Sequence, residues 1–131
     1  MKRLIIAIIS MSVLTACSTS PATSAKTVSP MLYSTASSDT AKVTVTRDSG
    51  VVGAACAAKI FVDDKIAGQL KPSESVTLHI PSGRHIISFD TRGGLCPSMT
   101  DAVDVNLIKN DVKKYRIRSD LNGNYQLLPT L

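Results

Sequence analysis

Three cysteines carry most of the distinctive chemistry in this sequence: Cys17, Cys56 and Cys96. A thiol can be acylated, ligate a metal, act as a nucleophile or pair in a disulfide. A metal site needs three or four ligands, and the histidines on offer are His79 and His85. His85 reads as half-buried at a strand start and His79 as exposed. No Cys-x-x-Cys spacing occurs, so a thioredoxin-like redox pair has no support. The acidic residues give no paired-carboxylate signal. Gly-x-Ser-x-Gly, P-loop and Gly-x-Gly-x-x-Gly patterns are absent. The run Asp120-Leu121-Asn122-Gly123-Asn124 echoes part of a calcium loop. It lacks the third acidic position in register and the distal Glu, and reads as a hairpin turn. The sequence therefore calls for no catalytic residue, no metal and no cofactor.

What precedes Cys17 decides what becomes of it. Lys2 and Arg3 form a positive flank, and residues 4–13 (LIIAIISMSV) form a short apolar run. A membrane-spanning helix needs about 20 apolar residues, so residues 1–16 read as a secretory signal. Its end, Leu14-Thr15-Ala16-Cys17, resembles the lipobox of bacterial lipoproteins. That resemblance implies diacylglyceryl transfer to the Cys17 thiol, cleavage before it and acylation of the new amine. Each buried CH₂ contributes about 0.8 kcal/mol, and more than one chain is needed for stable anchoring. The alternative is an ordinary cleaved signal that leaves Cys17 free. Ser18 stands where the lipoprotein pattern places Asp for inner-membrane retention. The resemblance thus favours the outer membrane of a diderm host, with the protein facing the periplasm.

Export places Cys56 and Cys96 in an oxidising compartment, where a pair of cysteines is expected to bridge. A loop of about 40 residues closed this way stabilises by roughly 4 kcal/mol in the chain-entropy model. Small residues flank both cysteines, in Gly53-Ala54-Ala55-Cys56 and Gly93-Gly94-Leu95-Cys96. The whole chain has 15 basic and 10 acidic residues, for a formal charge of +5. Without Lys2 and Arg3 the balance is 13 to 10, or +3. That is too weak for a nucleic-acid binder, and an exported protein meets no nucleic acid.

Residues 17–40 are dominated by Ser, Thr, Ala and Pro. Such a segment buries too little to offset the entropy of ordering, and it reads as a flexible tether with an r.m.s. span of roughly 25 Å. Met31-Leu32-Tyr33 interrupts it and could dock on the domain. Residues 41–131 form a single domain with no Trp, so its core rests on Val, Ile and Leu. Alternation marks strands at 42–47, 59–63, 66–70, 75–80, 85–91, 102–108, 113–119 and 124–128. Residues 48–58 read as a loop or a strand entry around Cys56, Asp63-Asp64-Lys65 and Pro81-Ser82-Gly83-Arg84 as turns, and Asn122-Gly123 as a hairpin turn. The inward residues are Val43, Val45, Val76, Leu78, Ile80, Ile87, Phe89, Val103, Val105, Leu107, Tyr115 and Ile117. Seven or eight short strands without a helical period predict an all-β fold, a small antiparallel β-sandwich of about seven strands or a barrel.

Residues 59–84 resemble PEGA-type and related small surface β-domains, in the Val62-Asp63-Asp64-Lys65 turn and the Pro81-Ser82-Gly83-Arg84-His85 corner. Asp64 stands where that pattern prefers Gly. A wider stretch, 47–129, resembles uncharacterised proteobacterial lipoproteins, through Gly53 to Cys56, Gly94-Leu95-Cys96, Tyr115-Arg116-Ile117 and Asp120-Leu121-Asn122-Gly123. The resemblance implies a fold and carries no activity.

The remaining functional feature is a basic ladder. Lys114, Arg116 and Arg118 share one strand face, with Lys109 and Lys113 just before them. Such a stripe could hold a lipid headgroup, an acidic glycan or an acidic envelope protein. The competing reading is a solvated edge strand, where cations discourage edge-to-edge pairing. The expected function is a membrane-anchored, non-enzymatic binding or envelope-associated module. The alternative is an inhibitor of an envelope-attacking enzyme such as lysozyme, since Ser82-Gly83 resembles the short Ser-Gly loops of lipoprotein lysozyme inhibitors.

Overall fold

The computed structural model describes residues 19–50 and 53–131. The expected export signal, residues 1–16, and the expected acylation site, Cys17, lie outside the described residues. Every regular element among the described residues is a strand. In chain order these are β1 (Lys26–Val28), β2 (Thr40–Arg47), β3 (Ala58–Val62), β4 (Lys65–Leu70) and β5 (Glu74–Pro81), followed by β6 (Gly83–Asp90), β7 (Thr100–Leu107), β8 (Val112–Ser119) and β9 (Tyr125–Thr130). A five-stranded sheet has the order β1-β5-β2-β8-β9, and a four-stranded sheet has the order β4-β3-β6-β7.

Side chains alternate along a strand, and the alternation puts one face of each sheet into a shared apolar cluster. Val43 and Val45 enter it from β2, Val76, Leu78 and Ile80 from β5, and Tyr115 and Ile117 from β8. From the other sheet come Ile60 and Val62, Ile87 and Phe89, Val105 and Leu107. Val103 is partly buried against the same cluster. The two sheets exchange the chain repeatedly: the β3–β4 hairpin leaves the larger sheet, β5 returns to it, β6 and β7 leave again, and β8 and β9 close it.

The β3–β4 hairpin turns on Asp63 and Asp64, both at positive φ (48° and 64°). That is the mirror-image two-residue turn whose twist suits a hairpin, and Asp tolerates the left-handed region better than most residues. At the Pro81 corner the chain changes sheets. Ser82 fixes the crossing by donating from its N to Asp39 O (2.9 Å) and from its Oγ to Asp39 Oδ1 (2.6 Å).

Two features depart from the expectations. The larger sheet is not wholly antiparallel, because β8 pairs parallel to β2 and β1 parallel to β5. Period-two alternation reports which face is buried and not the direction of a partner, and neither pair is joined by a hairpin. Residues 19–40 also do not hang free of the domain. Ser20 bridges to Ser49, β1 pairs with β5, and Val28 and Tyr33 pack on the core. Met31 N donates to Ala67 O (2.7 Å), and His79 N donates to Tyr33 O (2.8 Å). The segment lends Val28 and Tyr33 to the core of the domain. The edges of β5 and β4 supply ready backbone partners, so two apolar side chains suffice to hold it down.

Candidate functional site

The alternation that drives Tyr115 and Ile117 inward sends Lys114, Arg116 and Arg118 to the outer face of β8. There β8 lies between β2 and β9, with Lys114 beside Thr44 and Thr130, Arg116 beside Thr46 and Leu128, and Arg118 beside Gln126. The ladder is therefore on an interior strand. The solvated-edge reading fails, because β2 and β9 occupy both edges of β8.

The three cations are not equivalent. Arg116 Nε donates to Asp48 Oδ1 (3.0 Å) and its Nη2 donates to Asp48 Oδ2. The Asp48 side chain is 1% exposed and that of Arg116 is 24% exposed. Asp48 lies just past the end of β2, where its N donates to Ile117 O (3.0 Å) and continues the parallel pairing. Its Oδ2 also accepts from Thr19 Oγ1 (3.0 Å), and Thr19 Oγ1 in turn accepts from Ser119 N (2.8 Å). A two-pronged Arg–carboxylate pair of this kind is strong and directional. Arg116 is thus a clamp on a buried acid and on the incoming N-terminal segment. The ladder's charges outside the ion pairs of the described residues are Lys114, which is exposed, and Arg118, which is half-buried and helps lower the Asp120 carboxyl.

Each of these two cations borders its own cleft. Lys114 shares one of about 500 Å³ with Val112, Lys113, Pro129 and Leu131. Arg118 shares one of about 490 Å³ with Thr19, Ser119, Leu121 and Asn122. Strand direction puts the two at opposite ends of the domain, one at the start of β8 and the other at its end.

A fourth cation escaped the sequence reading. Arg47 follows Val43 and Val45 in the same alternation and is buried. Its Nη1 donates to Cys56 O (2.6 Å) and Leu70 O (3.1 Å), and its Nη2 donates to Gly53 O (2.8 Å). The signal was present in the register, since the position two beyond Val45 must face inward. The guanidinium gathers carbonyls around the Cys56–Cys96 disulfide, whose Cα atoms are 5.7 Å apart. Gly53 is needed there: its φ is +63°, and an added Cβ would stand 2.6 Å from the Tyr125 hydroxyl.

The other residues singled out from sequence serve turns and corners. Asp120 Oδ1 accepts from the N of Asn122 (2.8 Å) and of Asn124 (2.9 Å), closing the β8–β9 hairpin. Together with the Asn124 side chain these bonds hold the Asp120 carboxyl below the usual carboxylate range. His85 is half-buried, with Nδ1 2.6 Å from Asp63 Oδ2 and Nε2 2.8 Å from Pro81 O. Both of these partners are acceptors, the Asp63 carboxylate and the Pro81 carbonyl. Asp63 is also held below the ordinary value, first by the Ile86 N–H and then by His85. His79 is half-buried rather than exposed. Among the described residues no group of three or more His, Cys, Asp or Glu is placed to hold a metal ion.

No protein-family model matches this chain, and no curated protein matches its sequence.

Proposed function

We propose that the chain is an exported lipoprotein, acylated at Cys17, that presents a disulfide-closed β-sandwich on the periplasmic face of the envelope. The outer membrane is the favoured site. The observation that carries this reading is Leu14-Thr15-Ala16-Cys17 standing directly after a short apolar run with a basic flank. The module acts by binding rather than by catalysis. In support, several groups that could do acid, base or thiol chemistry are already engaged. His85 is tied to Asp63 and the Pro81 carbonyl, Asp48 to Arg116, and the two cysteines to each other. The surface available to an anionic partner (a headgroup, a glycan carboxylate or an acidic protein) is that of Lys114 and Arg118.

Two measurements test this. Intact mass and membrane fractionation of wild type and Cys17→Ala test the anchor: the wild type is expected to carry acyl mass and to fractionate with membranes, and the variant to do neither. Membrane fractionation of Cys17→Ala at the wild-type level would refute the anchor. Cross-linked co-purification from native envelopes, wild type against Lys114→Ser/Arg118→Ser, tests the binding surface. A partner lost in the double variant supports it, and an identical set in both removes these cations from consideration. Retention of a muramidase as the specific partner would turn the reading to an inhibitor.

A further inference from the structure

The point at which the chain leaves its anchor is also a point at which it is fastened to the domain. Thr19 Oγ1 donates to Asp48 and accepts from Ser119 N. Ser20 exchanges backbone hydrogen bonds with Ser49, at 3.0 and 2.9 Å. Cys17 stands two residues before Thr19, and two residues of fully extended chain span at most about 7 Å. The acyl chains of Cys17 therefore cannot lie far from Thr19, whatever conformation Ser18 takes.

Strand direction defines the end of the domain to which Thr19 belongs. β2 and β8 finish there, β5 and β9 begin there, and β6 hands over to β7 there. Two hydrophobic side chains project from the loops of that end without cover. Leu121 is exposed at the tip of the β8–β9 hairpin and lines the same cleft as Thr19. Leu95 is fully exposed in the loop held by the Cys56–Cys96 disulfide. The charges nearby are of both signs. Arg118 is half-buried and lines the cleft, Arg92 is paired with Asp90, Lys71 is exposed, the Glu74 carboxylate accepts from Lys71 N, and Asp120 closes its own turn. Among the described residues, no acidic patch at this end would repel an anionic surface.

We infer that this end of the domain rests on the bilayer that holds the Cys17 acyl chains, with Leu95 and Leu121 seated at the boundary between headgroups and acyl chains. The inference rests on the acylation of Cys17 proposed above. It replaces a module swinging on a long leash with one set upright at the surface, its opposite end facing the periplasm. Ile108, which is exposed beyond the end of β7, belongs to that far end.

The protein contains no tryptophan, so Leu95→Trp, Leu121→Trp and Ile108→Trp each create a single fluorescent reporter at an exposed position. The acylated variants are reconstituted into vesicles of phosphatidylethanolamine and phosphatidylglycerol containing acyl-brominated lipid. The expected result is at least a twofold loss of emission for Leu95→Trp and Leu121→Trp, with Ile108→Trp unaffected. Thr19→Ala/Leu121→Trp, which loosens the latch, should recover part of the lost emission. Vesicle-bound protein with no quenching at Leu95→Trp and Leu121→Trp, or with equal quenching at Ile108→Trp, would overturn the orientation and leave the anchor standing. Protein without acyl mass would overturn both.

Discussion

Arg116 and Asp48 form a lopsided pair, with the acid buried and the base reaching the surface. Removing one partner from such a pair matters most when the charge left behind cannot reach water. Arg116→Ser strands Asp48 and is expected to cost about 3–5 kcal/mol. Asp48→Asn leaves Arg116 free to turn outward and should cost about 1–2 kcal/mol. Lys114→Ser and Arg118→Ser should stay within about 0.5 kcal/mol of wild type. Urea midpoints for the four variants check this ranking, and equal costs for Arg116→Ser and Arg118→Ser would show the pair to be incidental. Arg47→Met keeps the volume but leaves the carbonyls of Gly53, Cys56 and Leu70 without their donor. It should lower stability by about 3 kcal/mol, again read from the urea midpoint. Alternation through Val43 and Val45 already marks Arg47 as inward. Arg116 and Arg118 look alike in the sequence until the fold sets Asp48 against one of them.

At the level of elements, the two sheets have their open edges covered by different means. Residues 26–33 run along β5 and reach β4, where Ala67 O accepts from Met31 N. On the far side, Asp101 of β7 accepts from Leu127 N of β9 (2.8 Å), and Pro129, two residues further along the same edge, has no N–H to offer. Both devices suppress pairing with a second chain. Replacing Asp101 and Pro129 together by Val should raise the apparent mass in light scattering at concentrations where wild type is monomeric. An unchanged mass would show that the edge is protected by its neighbours alone. The strands that built the core were legible because a half-buried strand alternates, and Val76, Leu78 and Ile80 alternate cleanly. β1 was not legible, because Lys26-Thr27-Val28 has one apolar residue and its pairing depends on an edge that exists only once β5 is in place.

For the molecule as a whole, the ionised surface sets the response to acid. Asp63, Asp104 and Asp120 all have folded-state values below the ordinary one. The causes are the Ile86 amide with His85, the Arg84 guanidinium, and the Asn124 side chain with the turn amides, respectively. A depressed carboxylate stabilises the fold above its unfolded value and loses that contribution as pH falls through the lower, folded value. The thermal midpoint should therefore hold from neutral pH to about 5 and fall below about 4. A midpoint that rises on acidification would contradict the assignment. The all-β class, the disulfide and most inward residues could be read from alternation and from cysteine number. The path of residues 19–40 could not, because it is decided by contacts with partners far along the chain.

The hydrogen bond from Ser119 to Thr19 spans 100 residues of sequence. Its donor emerges during synthesis 100 residues after its acceptor. Under the proposed acylation, Cys17 is modified by enzymes that must grip the residues around it. Once Thr19 is fastened to Asp48 and Ser119, little slack remains for that grip. The order of events is then built into the covalent sequence: maturation of the amino terminus comes first, and completion of β8 draws the mature end shut behind it.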